Sequence, residues 1–184
     1  ESELIINNRG AVYHLDVRPE ELADTIIVVG DPDRVKKVSK YFDSIEHQLQ
    51  HREFITHTGY IGKKRLSVMS TGIGPDNIDI AINELDALAN IDFTTREIRS
   101  EFSKLNIIRF GTSGSLQADI PVDSFVMSKY GLGLDNMLRS YLIDSISEKD
   151  IEEAFIKQTD WDMKKGKPYV IACSETLKKR IERL

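Results

Sequence analysis

The sequence predicts an α/β fold organised around a mixed sheet, and three observations carry that expectation. Apolar runs of strand length recur at 26–29, 66–69 and 107–108, and each feeds a glycine-rich turn: Gly30, "STGIG" over 70–74, and "GTSGS" over 111–115. Helix-like stretches lie between them, over 33–42 and 77–88, the second with Ile78, Ile82, Leu85 and Leu88 at helical spacing. The segment "HREFITHTGYIGKKRLSVMS", 51–70, reads as two strands joined by a turn at Gly62. Strands alternating with helices argue for an α/β sheet, and the tightly joined pair makes it a mixed one.

The other elements follow in order. "NIDFTTREIRSEFSKL", 90–105, is charged surface that lengthens or follows a helix. The segment 144–168 is polar and ends in a turn at Gly166, Lys167 and Pro168, and its acids over 148–153 read as a solvated helix face. "YVIAC" is a short strand or an extended lead-in, after which Ser174 caps a final helix over 175–184. No glycine or proline closes that helix, so the expectation is one α/β domain over 1–184, incomplete at its C-terminus.

Composition narrows the function classes. With 40% hydrophobic and 30% charged residues, the 184-residue chain has an ordinary globular makeup. A net charge of -5 without a basic block argues against a nucleic-acid partner. No apolar run approaches the roughly 20 residues that span a bilayer, and "ESELIINNRG" lacks the pattern of a secretory signal. A single cysteine, Cys173, excludes an internal disulfide and suggests a cytoplasmic setting. Four scattered histidines give no metal-ligand spacing, so no metal is expected, and His47, His51 and His57 read as surface or strand-edge residues.

The chemistry concentrates in two strand ends. In "GDPDRV", Gly30 allows close backbone approach, Pro32 suits a first helical turn, and Asp31 can cap exposed amides. Arg34 meets the unfavourable end of the helix dipole there. Two readings stand: Arg34 pairs with Asp31 or Asp33 on the surface, or it serves a bound anion. Arg109 ends another apolar run and precedes a second glycine turn that carries Thr112 and Ser113. Ligands in open α/β sheets collect outside the carboxyl ends of strands, so the two ends describe an oxyanion pocket if they are neighbours. Arginines paired structurally with acids are the alternative.

"VYHLDV", "VVGDPDRV", "HREF", "STGIG" and "IRFGTSGSLQADIPVDSFV" occur in the order found in bacterial uridine phosphorylases. The chain resembles the nucleoside phosphorylase family over 12–136, and more loosely beyond. The resemblance implies a three-layer α/β sandwich with a mixed central sheet, and cleavage of a nucleoside by phosphate to a free base and ribose 1-phosphate. By position, Gly30, Arg34, Arg109 and Thr112 resemble the family's phosphate-binding residues, with Arg109 and Thr112 in the catalytic role. Arg52 resembles an arginine that reaches the phosphate from a neighbouring subunit. His14 resembles a histidine that crosses to the ribose 5′-hydroxyl, and Thr112 lies where phosphate and ribose meet. The resemblance further implies a homodimer that shares its sites, usually built into a hexamer, with no cofactor beyond phosphate as co-substrate. Glu53 matches a glutamate that holds a monovalent cation at the dimer interface in some members.

Two departures qualify it. The charged stretch over 90–104 is extra, and Pro75, Asp76 and Asn77 replace the usual Gly-Pro-Ser after "STGIG". Family members also continue past this chain with the residues that read the base and the ribose hydroxyls. The expected function is therefore phosphorolysis of uridine or a related nucleoside in salvage. A phosphate-independent nucleosidase and a non-catalytic oligomerising fragment with only an anion site are the alternatives. A dinucleotide-binding domain is disfavoured because no GxGxxG opens a helix.

Overall fold

The computed structural model describes residues 3–183, which gather into two compact units that divide between Ser113 and Gly114. The single domain expected over 1–184 remains a proposal for the chain as a whole.

The first unit runs β1 (Thr25–Val29), α1 (Asp33–Ser39), β2 (Ser44–His51), β3 (Phe54–Ile61), β4 (Lys64–Ser70), α2 (Pro75–Asn90), β5 (Ile91–Asp92), β6 (Glu97–Ile98) and β7 (Asn106–Arg109). Its main sheet has the order β2-β3-β4-β1-β7. β1 pairs in parallel with both β4 and β7, while β2, β3 and β4 form an antiparallel meander. The expected mixed sheet is present.

Side-chain alternation explains the layers. Ile26 and Val28 of β1, Phe54 of β3 and Met69 of β4 lie in one cluster with Ala81, Leu85 and Leu88 of α2 and with Val12, Leu15 and Val17 of the N-terminal segment. Their neighbours Val29 and Val68, with Ile27 and Ile55, join Val35 and Val38 of α1 in a second cluster. Successive strand residues point to opposite faces, so near-continuous apolar strands need cover on both. The sheet is thus the middle of three layers.

The N-terminal segment is tied down by charge. Glu21, 2% exposed, accepts from both nitrogens of the Arg9 fork at 2.8 and 2.9 Å and from Arg18 at 2.9 Å. Burial alone would raise the Glu21 carboxyl, but those guanidinium bonds outweigh it and hold the group at about 2.

The structure departs from the sequence reading in three places here. β2 was not foreseen: "SIEHQLQH" is an edge strand with an exposed polar face, so it carries no apolar run. The stretch after α2 folds back as a small β5–β6 hairpin rather than lengthening the helix. His57 is buried at 5% exposure, its Nδ1 2.8 Å from Ser39 Oγ, because its side of β3 lies under α1.

The second unit contains β8 (Tyr130–Gly133), α3 (Lys149–Thr159), β9 (Tyr169–Ala172) and α4 (Glu175–Ile181). β8 and β9 pair antiparallel, so "YVIAC" is a strand. Ser174 Oγ accepts from Leu177 N–H at 3.4 Å, the expected cap; the helix end expected at Leu184 lies outside the described residues. The acidic run of α3 is not wholly solvated. Glu152, 1% exposed, accepts from Arg139 at 3.0 Å and from Val170 N–H at 3.1 Å, with Lys167 at 3.5 Å. It fastens α3 to β9 and to the segment before it. Among the described residues, no helix is long and apolar enough to cross a membrane.

Candidate active site

Because β1, β4 and β7 run parallel, their carboxyl ends lie side by side, and the register places Val28 opposite Arg109. Phe110 N–H donates to Val28 O and Thr71 N–H to Val29 O, which stitches the three outgoing turns together. The two glycine–arginine strand ends are therefore neighbours.

Gly30 and Gly111 both lie beside one guanidinium. A Cβ added at Gly30 would lie 3.8 Å from Arg109 Nη2 and 3.6 Å from Gly72 O, and one at Gly111 would lie 3.7 Å from Arg109 Nη1. Neither residue has a left-handed backbone, and a methyl at either would make only ordinary contacts, so neither conformation nor packing within the chain requires glycine there. Gly72 differs: it sits at φ 69° with Glu53 Cγ and Asn77 Nδ2 within 3 Å of where a Cβ would be, so both conformation and space exclude a side chain.

Arg34 reaches the same place from α1. Its Nη2 donates to Thr112 Oγ1 at 3.2 Å, across 78 residues of sequence. The surface pairing with Asp31 survives only as a 3.9 Å contact to Oδ2, while Asp31 Oδ1 accepts from Asp33 N–H at 2.9 Å. The Arg109 side chain has no hydrogen bond or ion pair among the described residues. Arg34 thus meets Thr112, and Arg109 lies against Gly30 and Gly111, so the four residues gather at the adjoining ends of β1 and β7.

His14 and Arg52 lie in a second cluster. Arg52 occupies the β2–β3 turn at φ 55°, a conformation that costs a non-glycine residue about 1–2 kcal/mol, and its guanidinium lies 6.0 Å from the Tyr13 ring centre. Tyr13 meets His14 edge-on at 5.0 Å and His51 at 6.3 Å. His14 Nδ1 lies 2.7 Å from Glu84 Oε1, and His51 Nδ1 lies 2.9 Å from His14 O. Among the described residues, no hydrogen bond or ion pair joins this cluster to Arg34 or Arg109; Glu53, next to Arg52, instead lies against Gly72. Glu84 and Tyr13 escaped the sequence reading, while His51, read as a surface or strand-edge residue, ends the edge strand β2. Glu84 carried a signal, an acid among Ala81, Leu85 and Leu88 on the buried face of α2.

The model for the phosphorylase superfamily matches residues 24–178. A uridine phosphorylase from Thermococcus kodakarensis is 32% identical over 133 residues, covering 72% of this chain and 43% of the relative. A DeoD-type purine nucleoside phosphorylase from Thermoanaerobacter sp. is 33% identical over 116 residues, covering 62% of this chain and 44% of the relative. A crystal structure of a Trypanosoma brucei nucleoside phosphorylase, which shows uridine phosphorylase activity, superposes with TM-score 0.86 at 31% identity, covering 98% of this chain and 61% of that one. The chain spans less than half the length of these curated relatives.

Proposed function

From the premise that the chain belongs to the phosphorylase superfamily, we propose that the intact protein is a nucleoside phosphorylase that cleaves uridine or a related nucleoside with inorganic phosphate. The observation that carries this reading is the adjoining pair of parallel strand ends, where the Arg109 side chain is unpartnered among the described residues and Arg34 is braced by Thr112 of the turn after Arg109. Two guanidinium groups at one place repel unless an anion lies between them, and arginine forks match phosphate oxygens.

The chemistry fits such a clamp. As the C1′–N1 bond stretches, positive charge builds on the sugar; a phosphate oxygen attacks C1′, and the bonding pair and the phosphate proton leave with the base. The products are uracil and ribose 1-phosphate. The arginines orient the nucleophile and steady its charge, so the chain supplies positioning and electrostatics rather than a side-chain nucleophile. Thr112 reaches toward the seam between phosphate and ribose.

The name of the Thermococcus relative favours uridine, and that of the Thermoanaerobacter relative keeps purine nucleosides as substrates to compare. In the same reading the protein acts in the cytoplasm in pyrimidine salvage, as a homodimer built into a hexamer. His14 and Arg52 serve the neighbouring subunit's site, and Glu53 holds a monovalent cation at the dimer interface. The strained φ of Arg52 supports a task beyond the turn. Base release from uridine and inosine, measured with and without phosphate, tests the reading. Phosphate-dependent uracil release with ribose 1-phosphate as co-product is expected; phosphate-independent release would make the protein a nucleosidase.

A further inference from the structure

We infer that Glu84 is a positioning residue for His14, holding its imidazole as the Nδ1–H tautomer so that Nε2 is the acceptor for a substrate hydroxyl. The inference rests on the nucleoside reading above for the identity of that hydroxyl, the ribose 5′-OH.

Glu84 comes from the buried face of α2 and is 7% exposed. A carboxylate there is costly unless its lone pairs are filled. It faces the nitrogens of a single turn: His14 N–H at 3.0 Å and the ring Nδ1 at 2.7 Å on Oε1, and Leu15 N–H at 2.8 Å on Oε2. Backbone N–H groups can only donate, so the carboxylate stands as acceptor and the ring nitrogen it meets carries the proton. In a neutral imidazole the other nitrogen then bears the lone pair.

A second clamp acts on the same residue. His14 O accepts from His51 Nδ1 at 2.9 Å; a carbonyl cannot donate, so His51 is also protonated at Nδ1. His14 is therefore held at its ring, its amide and its carbonyl, with the Tyr13 edge against it. Nε2 of His14 has no partner among the described residues. Stapling the turn would need only the two backbone bonds. The ring bond does something more: it selects a tautomer and an orientation.

The test has two readouts on the intact protein. Nitrogen-15 shifts of labelled histidine report the tautomer without substrate. The Nδ1–H form of His14 is expected, and Glu84→Gln is expected to lose its dominance, because an amide cannot accept from all three donors. The second readout compares kcat/KM for uridine and 5′-deoxyuridine. Wild type is expected to prefer uridine, and Glu84→Gln to lose roughly 3- to 10-fold of that preference through KM, with the KM for phosphate unchanged. His14→Ala keeps the backbone clamp and is expected to lose the same preference, and the double variant no more than either alone. An unchanged tautomer, or an equal loss on both nucleosides, overturns the assignment of Glu84. Absence of uridine turnover in wild type overturns the nucleoside reading instead, and the tautomer measurement still decides for or against Glu84.

Discussion

Arg109 stands partly in solvent at the end of β7 with no partner of its own among the described residues, so its removal has little to disturb in the fold. Arg109→Ala is expected to change stability by less than about 0.5 kcal/mol. It should lower kcat/KM for phosphate by roughly 10- to 150-fold, the worth of a charge-assisted hydrogen bond of about 1.5–3 kcal/mol. Gly30 makes a sharper probe. A methyl there has ordinary contacts, 3.6 Å from Gly72 O and 3.8 Å from Arg109 Nη2, so Gly30→Ala should fold with an unaltered melting temperature. The phosphate KM should nevertheless rise at least several-fold, since the methyl fills the space before the guanidinium; an unchanged KM would move the anion elsewhere. His57 carries a pH signature. Burial pushes its imidazole below the ordinary value of 6.5, helped by the charge of Lys36. The unfolded chain binds a proton that the folded one resists, so stability falls as pH drops through about 6.5. Urea midpoints at about pH 7.5 and about pH 5.5 should differ more for wild type than for His57→Asn. Arg34 and Arg109 stood out in the sequence because one sets a cation at the unfavourable end of a helix dipole and the other ends an apolar run with a charge. Glu84 was obscured by its surroundings: one acid in an amphipathic helix reads as a boundary residue until its partners 70 residues away are known.

At the scale of elements, the apolar runs were read correctly because a strand buried on both faces needs them. β1, β4 and α2 appear where alternation and helical spacing put them. β2, β8 and the β5–β6 hairpin have exposed, polar or very short sequences, and what pairs them lies in tertiary context that local pattern does not encode. Leu85 is fully buried between α2 and the sheet, and Leu85→Ala should cost about 2–5 kcal/mol in urea unfolding. In the second unit, Glu152 anchors α3 through Arg139, Lys167 and Val170. Burial tends to raise its carboxyl, but the Arg139 bond, the Val170 N–H and the charges of Arg139 and Lys167 hold it below the ordinary value. Its contribution is therefore lost as pH falls through that lowered value.

For the whole molecule, the arrangement of site residues makes a prediction about assembly. Gly30, Arg34, Arg109 and Thr112 gather at the adjoining strand ends, while His14 and Arg52 flank Tyr13 in another cluster. If the second cluster serves a neighbouring subunit, an Arg52→Ala protein and an Arg109→Ala protein, each defective alone, should complement when their subunits are mixed. Random pairing would make half the dimers mixed, each with one intact site, and restore roughly a quarter of wild-type activity. No recovery would place Arg52 in its own subunit's site or outside any site.

The central claim is that the adjoining ends of β1 and β7 hold a phosphate. The most direct measurement is calorimetric titration of inorganic phosphate into the intact protein, beside Arg109→Ala and Gly30→Ala variants of equal melting temperature. One phosphate bound per subunit is expected in wild type, with an affinity lowered at least about 10-fold by Arg109→Ala. Equal affinity in wild type and Arg109→Ala would contradict it, and would place the anion site away from these strand ends.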